Sequence, residues 1–194
     1  MPIKKRKKRA SIRLENVGPI SEAKVDLGDL TVLVGPQASG KSVFLQTLKL
    51  AVDRNHLLGF FEQQNVVFNG DPAAVINGFY GRGMAGMLNG SPHVTWEGQR
   101  YELQALTKFK KPKSSQIERL FYIPAQRVVS LPSGVSQTFG SFNFGDPYVL
   151  RYFAHQVHIL LQNEFGSTAQ LFPAMVAVGL FLLLGGVRSL AGPA

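Results

Sequence analysis

The sequence predicts an α/β fold, and three observations support this prediction. Apolar and polar residues alternate with period two over residues 12–15 and 22–27, as in strands buried on one face. An apolar run over residues 30–34 then leads directly into the glycine-rich stretch GPQASGKS at residues 35–42. Beyond this stretch, apolar side chains recur at helical spacing. The chain has 194 residues, 45% of them hydrophobic, which is enough for a domain with its own core.

Three strands are predicted before the glycine-rich stretch. The two alternating segments form the first and second strands, and the Gly-Pro pair within residues 16–19 predicts a turn between them. Residues 30–34 form the third strand. Because this segment is apolar throughout, we expect it to be covered on both faces. The first two strands therefore form an antiparallel pair beside a buried core sheet.

Further elements follow the glycine-rich stretch. A helix is predicted directly after it, because an apolar stripe recurs at i, i+4, i+7 and i+8. The stripe consists of Phe44, Leu48, Ala51 and Val52. Residues 94–105 predict a hairpin that turns at Glu97 and Gly98, and residues 120–123 predict a short strand. Asp146 and Pro147 are typical of a helix start, with a capping carboxylate followed by proline at the first helical position.

The net charge of +9 is concentrated at the N-terminus, where residues 4–9 supply six positive charges. A like-charge block repels itself, so residues 1–10 are predicted to form a flexible basic arm. Two interpretations of the arm stay open. It contacts the phosphates of DNA or RNA, or it is a solubilising tail, since short basic runs have low specificity.

The chain contains no cysteine. This excludes disulfides, thiolate nucleophiles and cysteine-based metal sites. It is compatible with the cytoplasm, which is the expected location, and no secretory signal core follows the basic N-terminus.

The glycine-rich stretch predicts a phosphate-binding loop of the Walker A type. A strand, a glycine-rich turn and a helix N-terminus together direct backbone N–H groups and the helix dipole at one anion. Lys41 is expected to reach the β- and γ-phosphates of a nucleotide, and the Ser42 hydroxyl to ligate Mg²⁺. The predicted nucleotide-binding residues are Gly35, Pro36, Gln37, Ala38, Ser39, Gly40, Lys41 and Ser42.

The stretch IRLENVGPISEAKVDLGDLTVLVGPQASGKSVFLQTLKL resembles the N-terminal half of ABC-type ATPase heads. Within these it is most similar to the SMC, RecF and OLD-like group, often described as AAA-family ATP-binding proteins. The resemblance covers residues 11–53, and a fainter one covers FYIPAQR at residues 121–127. Gln37 stands where many members carry asparagine, which we expect to be a mild change.

The resemblance implies a P-loop NTPase fold, incomplete in this chain, that binds ATP and Mg²⁺. It also implies a homodimer or a pairing with a partner ATPase subunit around ATP, and action on DNA or in defence against phage. In such heads a glutamine after a later strand senses the metal and the γ-phosphate, and Gln126 is the candidate for this role. An ordinary solvated turn at Gln126 and Arg127 is the alternative.

Whether the chain hydrolyses ATP stays open. P-loop enzymes hold Mg²⁺ with an acidic residue after a second apolar strand, and ABC-type heads add a glutamate that positions water. None of the twelve acidic residues follows such a run, and the last, Glu164, lies in a helix-like context. The Ser-Gly pair at residues 133–134 is interpreted as a turn. The alternative function is therefore a truncated, non-hydrolysing nucleotide-binding interaction protein, tethered to nucleic acid by its arm.

The ATPase part is assigned to residues 11–165, and residues 166–194 form an apolar segment with three interpretations. They are a membrane-spanning helix, a buried helix and strand of the same domain, and a truncated or frame-altered end. A membrane-spanning helix needs about 20 apolar residues, and the proline and glycines in this run make it the least favoured. The abrupt shift to alanine, leucine and glycine favours the third.

Two weaker groups of residues complete the set of candidates. His155 and His158 lie one helical turn apart, but without a third ligand they indicate a partly exposed helix face, not a metal site. An aromatic group next to cations could stack nucleobases, although a hairpin that packs its rings inward explains it equally well. This group comprises Trp96, Tyr101 and Phe109, beside Lys108, Lys110 and Lys111.

Overall fold

The computed structural model describes residues 10–108, 117–125 and 137–162. These residues form a mixed α/β structure around a four-stranded antiparallel sheet with strand order β2-β1-β3-β4. The strands are β1 (Ser11–Val17), β2 (Ile20–Asp26), β3 (His93–Trp96) and β4 (Gln99–Glu102). The helices are α1 (Lys41–Gln63), α2 (Pro72–Tyr80), α3 (Leu103–Leu106) and α4 (Tyr148–Gln162).

The first predicted strand pair is confirmed. β1 and β2 pair antiparallel, with Leu14 opposite Ala23, and the turn between them contains Gly18 at φ +56°. Ile12 and Leu14 are fully buried, whereas Arg13 on the opposite face forms ion pairs with Glu15 and Glu22. The period-two alternation therefore identified the buried face correctly.

The predicted hairpin is also confirmed, although its second strand is shorter than expected. Glu97 (φ +49°) and Gly98 (φ +84°) form the turn, and two consecutive positive φ values suit a two-residue hairpin loop. β4 ends at Glu102, and the chain then enters the short helix α3. Leu103 is buried in the core from that helix and not from a strand.

α1 begins directly after the glycine-rich loop, as predicted, and Phe44 and Leu48 on its stripe are buried. The backbone of Asp53 (φ −118°, ψ 23°) departs from helical geometry and divides α1 into two halves. The second half packs into an aromatic cluster with α4, in which the Phe60 ring contacts the Tyr152 ring edge to face at 4.9 Å.

α4 begins at Tyr148, close to the predicted start. The Asp146 carboxylate accepts a hydrogen bond from the backbone N–H of Asn143, which precedes it, at 3.0 Å. Asp146 therefore closes a turn before α4, and no capping bond to the first turn of α4 is recorded among the described residues.

Two predicted strands are wrong. Residues 30–34 form no strand, and the side chains of Leu30, Val32 and Val34 are 58%, 56% and 90% exposed. The segment has no hydrogen-bonded neighbour strand in the described part of the chain, so only alternate residues, such as Leu33, reach the core. Residues 120–123 also form no strand, because α1 side chains bind the backbone groups of Leu120.

The predicted α/β class is confirmed, but the sheet is antiparallel, and the P-loop NTPase fold remains a proposal. Several predictions lie outside the described residues. They concern residues 1–9 of the arm, Phe109, Lys110, Lys111, Gln126, Arg127, the Ser-Gly pair at 133–134, Glu164 and the segment 166–194. Over the residues that are described, no helix combines the length and apolar character that crossing a membrane requires.

Candidate phosphate-binding site

The glycine-rich loop is an exposed turn that ends at the first residue of α1. Gly35, Pro36, Gln37, Ala38 and Ser39 are all exposed. The backbone turns through two left-handed conformations, at Ala38 (φ +61°) and at Gly40 (φ +87°). The loop thus reverses direction over a few residues and delivers Lys41 directly into the helix.

Glycine is required at position 40 for two independent reasons. Its positive φ is strained for any residue with a side chain. In addition, a Cβ atom at this position would lie 2.8 Å from Cγ1 of Ile20 and 3.1 Å from Cγ of Pro19. Gly40 therefore fits closely against the β1–β2 turn, and this contact sets the position of the loop and of the start of α1 beside the hairpin.

The Lys41 side chain folds back across the loop. Its ammonium donates hydrogen bonds to the backbone oxygens of Gly35 (2.8 Å) and Pro36 (2.5 Å), and to Oγ of Ser39 (3.2 Å). All three acceptors are neutral and lie at the exposed surface. A phosphate oxygen can replace such acceptors, because its negative charge adds a Coulomb attraction to the hydrogen bond from the ammonium.

The N-terminus of α1 adds donors at the same place. The first helical hydrogen bond runs from the N–H of Phe44 to the oxygen of Gly40 at 2.8 Å, and no side chain in the described part of the chain caps this end of the helix. The N–H groups of the first turn therefore have no partner within the helix, and the helix dipole is positive at this end. Ser42 is exposed in this turn, which contains no acidic residue.

The structure places Lys41, Ser42 and the turning backbone of residues 35–40 together at the start of α1, but without the strand that was predicted before the loop. It does not place Gln126, which lies outside the described residues. The segment before Gln126 attaches to the middle of α1 and not to the loop, since Leu120 bonds to Lys49 and Asp53.

A buried ion cluster on α1 was missed by the sequence analysis. The Lys49 ammonium donates to Oδ2 of Asp53 (2.7 Å), to Oε1 of Glu118 (2.5 Å) and to the backbone oxygen of Leu120. The side chains of Lys49 and Asp53 are each 1% exposed. The sequence feature that could have indicated this cluster is the i, i+4 spacing of Lys49 and Asp53. Such spacing usually indicates an exposed helix face and therefore does not predict burial.

The ion cluster fastens residues 118–120 to α1. Asp53 accepts the backbone N–H groups of Arg119 (2.9 Å) and Leu120 (2.8 Å), and the Tyr152 hydroxyl donates to Glu118 at 2.9 Å. Burial, and then the nearby Glu118 carboxylate, raise the pKa of Tyr152, so its hydroxyl keeps its proton and remains a donor. Each buried carboxylate therefore has partners, as buried charges require.

The pKa values of two histidines, His56 and His155, are lowered. Burial is the main factor that lowers the pKa of His56, and Lys49 lowers it further, against the opposing effects of Glu118 and Asp53. Burial, and then the neighbouring His158, lower the pKa of His155, whose Nδ1 accepts the N–H of Phe139 at 3.4 Å. No group of three histidine or acidic side chains in the described ranges could hold a metal ion.

Comparisons of the chain with protein-family models, with curated proteins and with solved structures give no match. The class of site is therefore defined by its own geometry, an exposed glycine-rich turn at an uncapped helix N-terminus with a lysine ammonium folded into it.

Proposed function

We propose that the chain is an ATP-binding protein of the ABC, SMC and RecF-like P-loop ATPase type, and that residues 35–42 hold the phosphates of Mg-ATP. The observation that supports this most strongly is the position of the Lys41 ammonium. It lies inside an exposed turn on neutral acceptors, at the positive end of a long helix.

The residues present fit such a ligand. Lys41 and the N–H groups at the start of α1 would neutralise the phosphates, as in other glycine-rich phosphate sites. The exposed Ser42 hydroxyl would hold Mg²⁺. The metal would supply further neutralisation of the phosphate oxygens. The proposal also implies a cytoplasmic protein, because its ligand is found there.

A matched pair of lysine variants tests the proposal. Lys41→Ala should weaken ATP binding, measured by titration calorimetry with Mg²⁺, by about 100-fold, the equivalent of one or two charged hydrogen bonds. Lys24→Ala, which removes an exposed positive charge on β2, should leave the affinity unchanged. If Lys41→Ala binds ATP as tightly as Lys24→Ala does, the loop is not the binding site.

A second candidate function, ATP binding without hydrolysis, is favoured by the engagement of five acidic residues in bonds within the fold. Asp53 and Glu118 are bound by Lys49. Asp71 caps α2 by accepting the N–H of Ala73, and Glu15 and Glu22 pair with Arg13. These carboxylates are thus used within the fold and are not presented to Ser42. Lys41-dependent phosphate release by the purified chain would exclude this candidate.

The remaining parts of the proposal concern partners. The basic arm, residues 1–10, would contact DNA or RNA phosphates, and such contacts weaken steeply as salt increases. A homodimer or a partner ATPase subunit would complete the site around ATP, with a role on nucleic acid or in phage defence. Salt-dependent binding of the full chain to a DNA duplex, lost when the cations of residues 4–9 are replaced by serine, tests the arm.

A further inference from the structure

A pocket lies beside the middle of α1, away from the phosphate loop. It has a volume of about 270 Å³ and is open to solvent between residues 51–56 of α1, the end of the β3–β4 hairpin and residues 117–119. Its lining includes Arg54, Asn55, His56, Trp96, Tyr101 and Arg119. Arg54 is thirteen residues beyond Lys41, about 20 Å along the helix axis. The pocket is thus separate from the proposed ATP site.

Two aromatic side chains, Trp96 and Tyr101, line this pocket from the same face of the hairpin because of the strand register. Tyr101 is opposite Val94 and Trp96 is opposite Gln99. Trp96 is two residues from the buried Val94, so Trp96 and Tyr101 share its face of the sheet. Both rings are only half-buried, whereas the neighbouring Val94 is buried. Trp96 and Tyr101 are two of the three aromatic residues, with Phe109, for which base stacking was one of two interpretations of the sequence.

The polar lining carries a net positive charge. Arg54 and Arg119 contribute two guanidinium groups. The Asp53 carboxylate also borders the pocket, but Lys49 and two backbone N–H groups already bind it. Nδ1 of His56 is buried and has no hydrogen-bond partner among the residues that the structure describes, and the Asn55 amide offers both donors and an acceptor.

We propose that this pocket binds a nucleobase that carries a phosphate group. The Trp96 and Tyr101 rings would stack on the base, Asn55 would contact its polar edge, and Arg54 and Arg119 would bind the phosphate. The volume lies just below the range of about 300–1,000 Å³ typical of small-molecule sites. It therefore suits a single nucleotide unit, either a free mononucleotide or one nucleotide of a single strand.

Trp96 is the single tryptophan of the chain, so its fluorescence reports on this pocket directly. The full-length chain is titrated with adenosine monophosphate, with adenosine, and with a short single strand of adenylates. Stacking should quench Trp96, and adenosine should bind about tenfold more weakly than the monophosphate, because it lacks the contact with the arginines. Absence of quenching by all three probes overturns the proposal.

Variants separate this pocket from the phosphate loop and from general charge effects. Arg119→Ala should weaken the binding of adenosine monophosphate about tenfold, whereas Lys41→Ala should leave this binding unchanged. Arg119→Ala also leaves the bond from the Arg119 backbone N–H to Asp53 in place. Arg100→Ala is the matched control, because Arg100 is exposed next to Tyr101 in the strand and pairs with Glu15, on the opposite face. Equal affinities of the two arginine variants, or loss of quenching in Lys41→Ala, overturn the proposal.

Two further measurements complete the test. Tyr101→Phe, which retains the ring, should bind like the unmodified chain, while Tyr101→Ala should bind about tenfold more weakly. Circular dichroism confirms that each variant is folded, and a weaker Tyr101→Phe contradicts stacking. A single strand that binds at least tenfold more tightly than the monophosphate assigns the pocket to a strand. Equal affinities assign it to the free mononucleotide, and both results retain a pocket for base and phosphate.

Discussion

α1 carries two lysines in opposite environments, and the comparison separates a binding site from a structural one. The Lys41 ammonium contacts two backbone oxygens and a hydroxyl at the exposed surface. The Lys49 ammonium is buried between two carboxylates and the oxygen of Leu120. A cation whose partners are neutral and exposed can still bind an anion. A cation that neutralises buried carboxylates cannot do so without leaving them unpaired.

The contrast between a binding and a structural cation extends to the parts of α1 that carry the two lysines. The first half begins with an exposed turn, and its cation has no carboxylate partner in the described residues. Lys49 and Asp53, in the middle of the helix, hold residues 118–120 through charged groups, and the half beyond Asp53 packs against aromatic rings from α4. The start of α1 therefore leaves a cation available to an anion, whereas Lys49 and Asp53 in the middle of the helix are used to hold the fold together.

The largest expected effect compares the two lysines directly. Lys49→Ala should lower the free energy of unfolding by about 3–5 kcal/mol, because Asp53 would remain buried, and Glu118 half-buried, without their cation. Lys41→Ala should change it by about 0.5 kcal/mol or less, as is usual for exposed positions. Urea unfolding followed by circular dichroism measures both. Similar losses for the two variants would contradict the distinction between a structural and a binding lysine.

An intermediate effect is expected at the turn before α1. Gly40→Ala should destabilise the chain by about 1–3 kcal/mol, since φ is +87° and the new Cβ would clash with Ile20. It should also weaken ATP binding, because the turn must shift. Gly59→Ala is the matched control, as a Cβ at this helical position meets no other atom within 4 Å. Gly59→Ala should raise the free energy of unfolding by about 0.5–1 kcal/mol. A lower free energy of unfolding in this variant would show that α1 does not tolerate an added carbon atom even at an open position.

The smallest effect concerns pH and the buried half of α1. The pKa of His56 is lowered from 6.5 in the folded chain, so below that pH the unfolded chain binds a proton that the folded chain refuses. Stability is therefore complete above 6.5 and decreases as the pH falls through the lowered value. His56→Gln should reduce the loss of stability between about pH 7.5 and pH 5.5. An unchanged pH profile in urea unfolding would exclude His56 as a contributor.

The sequence predicted those parts of the molecule whose causes are local. The alternation in β1 and β2 identified Ile12 and Leu14 as buried, and the Glu97-Gly98 pair marked the turn between β3 and β4. The helix predicted after GPQASGKS begins at Lys41, within the last two residues of that stretch. These features depend on side-chain periodicity and on glycine at turning positions, which a single segment displays by itself.

The two predicted strands that the structure lacks were wrong for the same reason, because strand formation depends on pairing with a distant segment. Residues 30–34 and 120–123 have apolar patterns that suit buried strands, but a strand exists only where another segment supplies the hydrogen bonds. Leu120 instead bonds to Lys49 and Asp53, and Val34 is 90% exposed. A local sequence pattern does not predict which distant group will bind a backbone N–H.

By itself, the sequence determined the two hairpins, the start of α1 and the glycine-rich turn that places Lys41 there. Only the tertiary structure decided that Lys49 is buried with Asp53 and Glu118, and that Trp96 and Tyr101 border a pocket with Arg54 and Arg119. The physical reason is that turns and periodicity are properties of neighbouring residues, whereas burial of a charge depends on partners dozens of residues away.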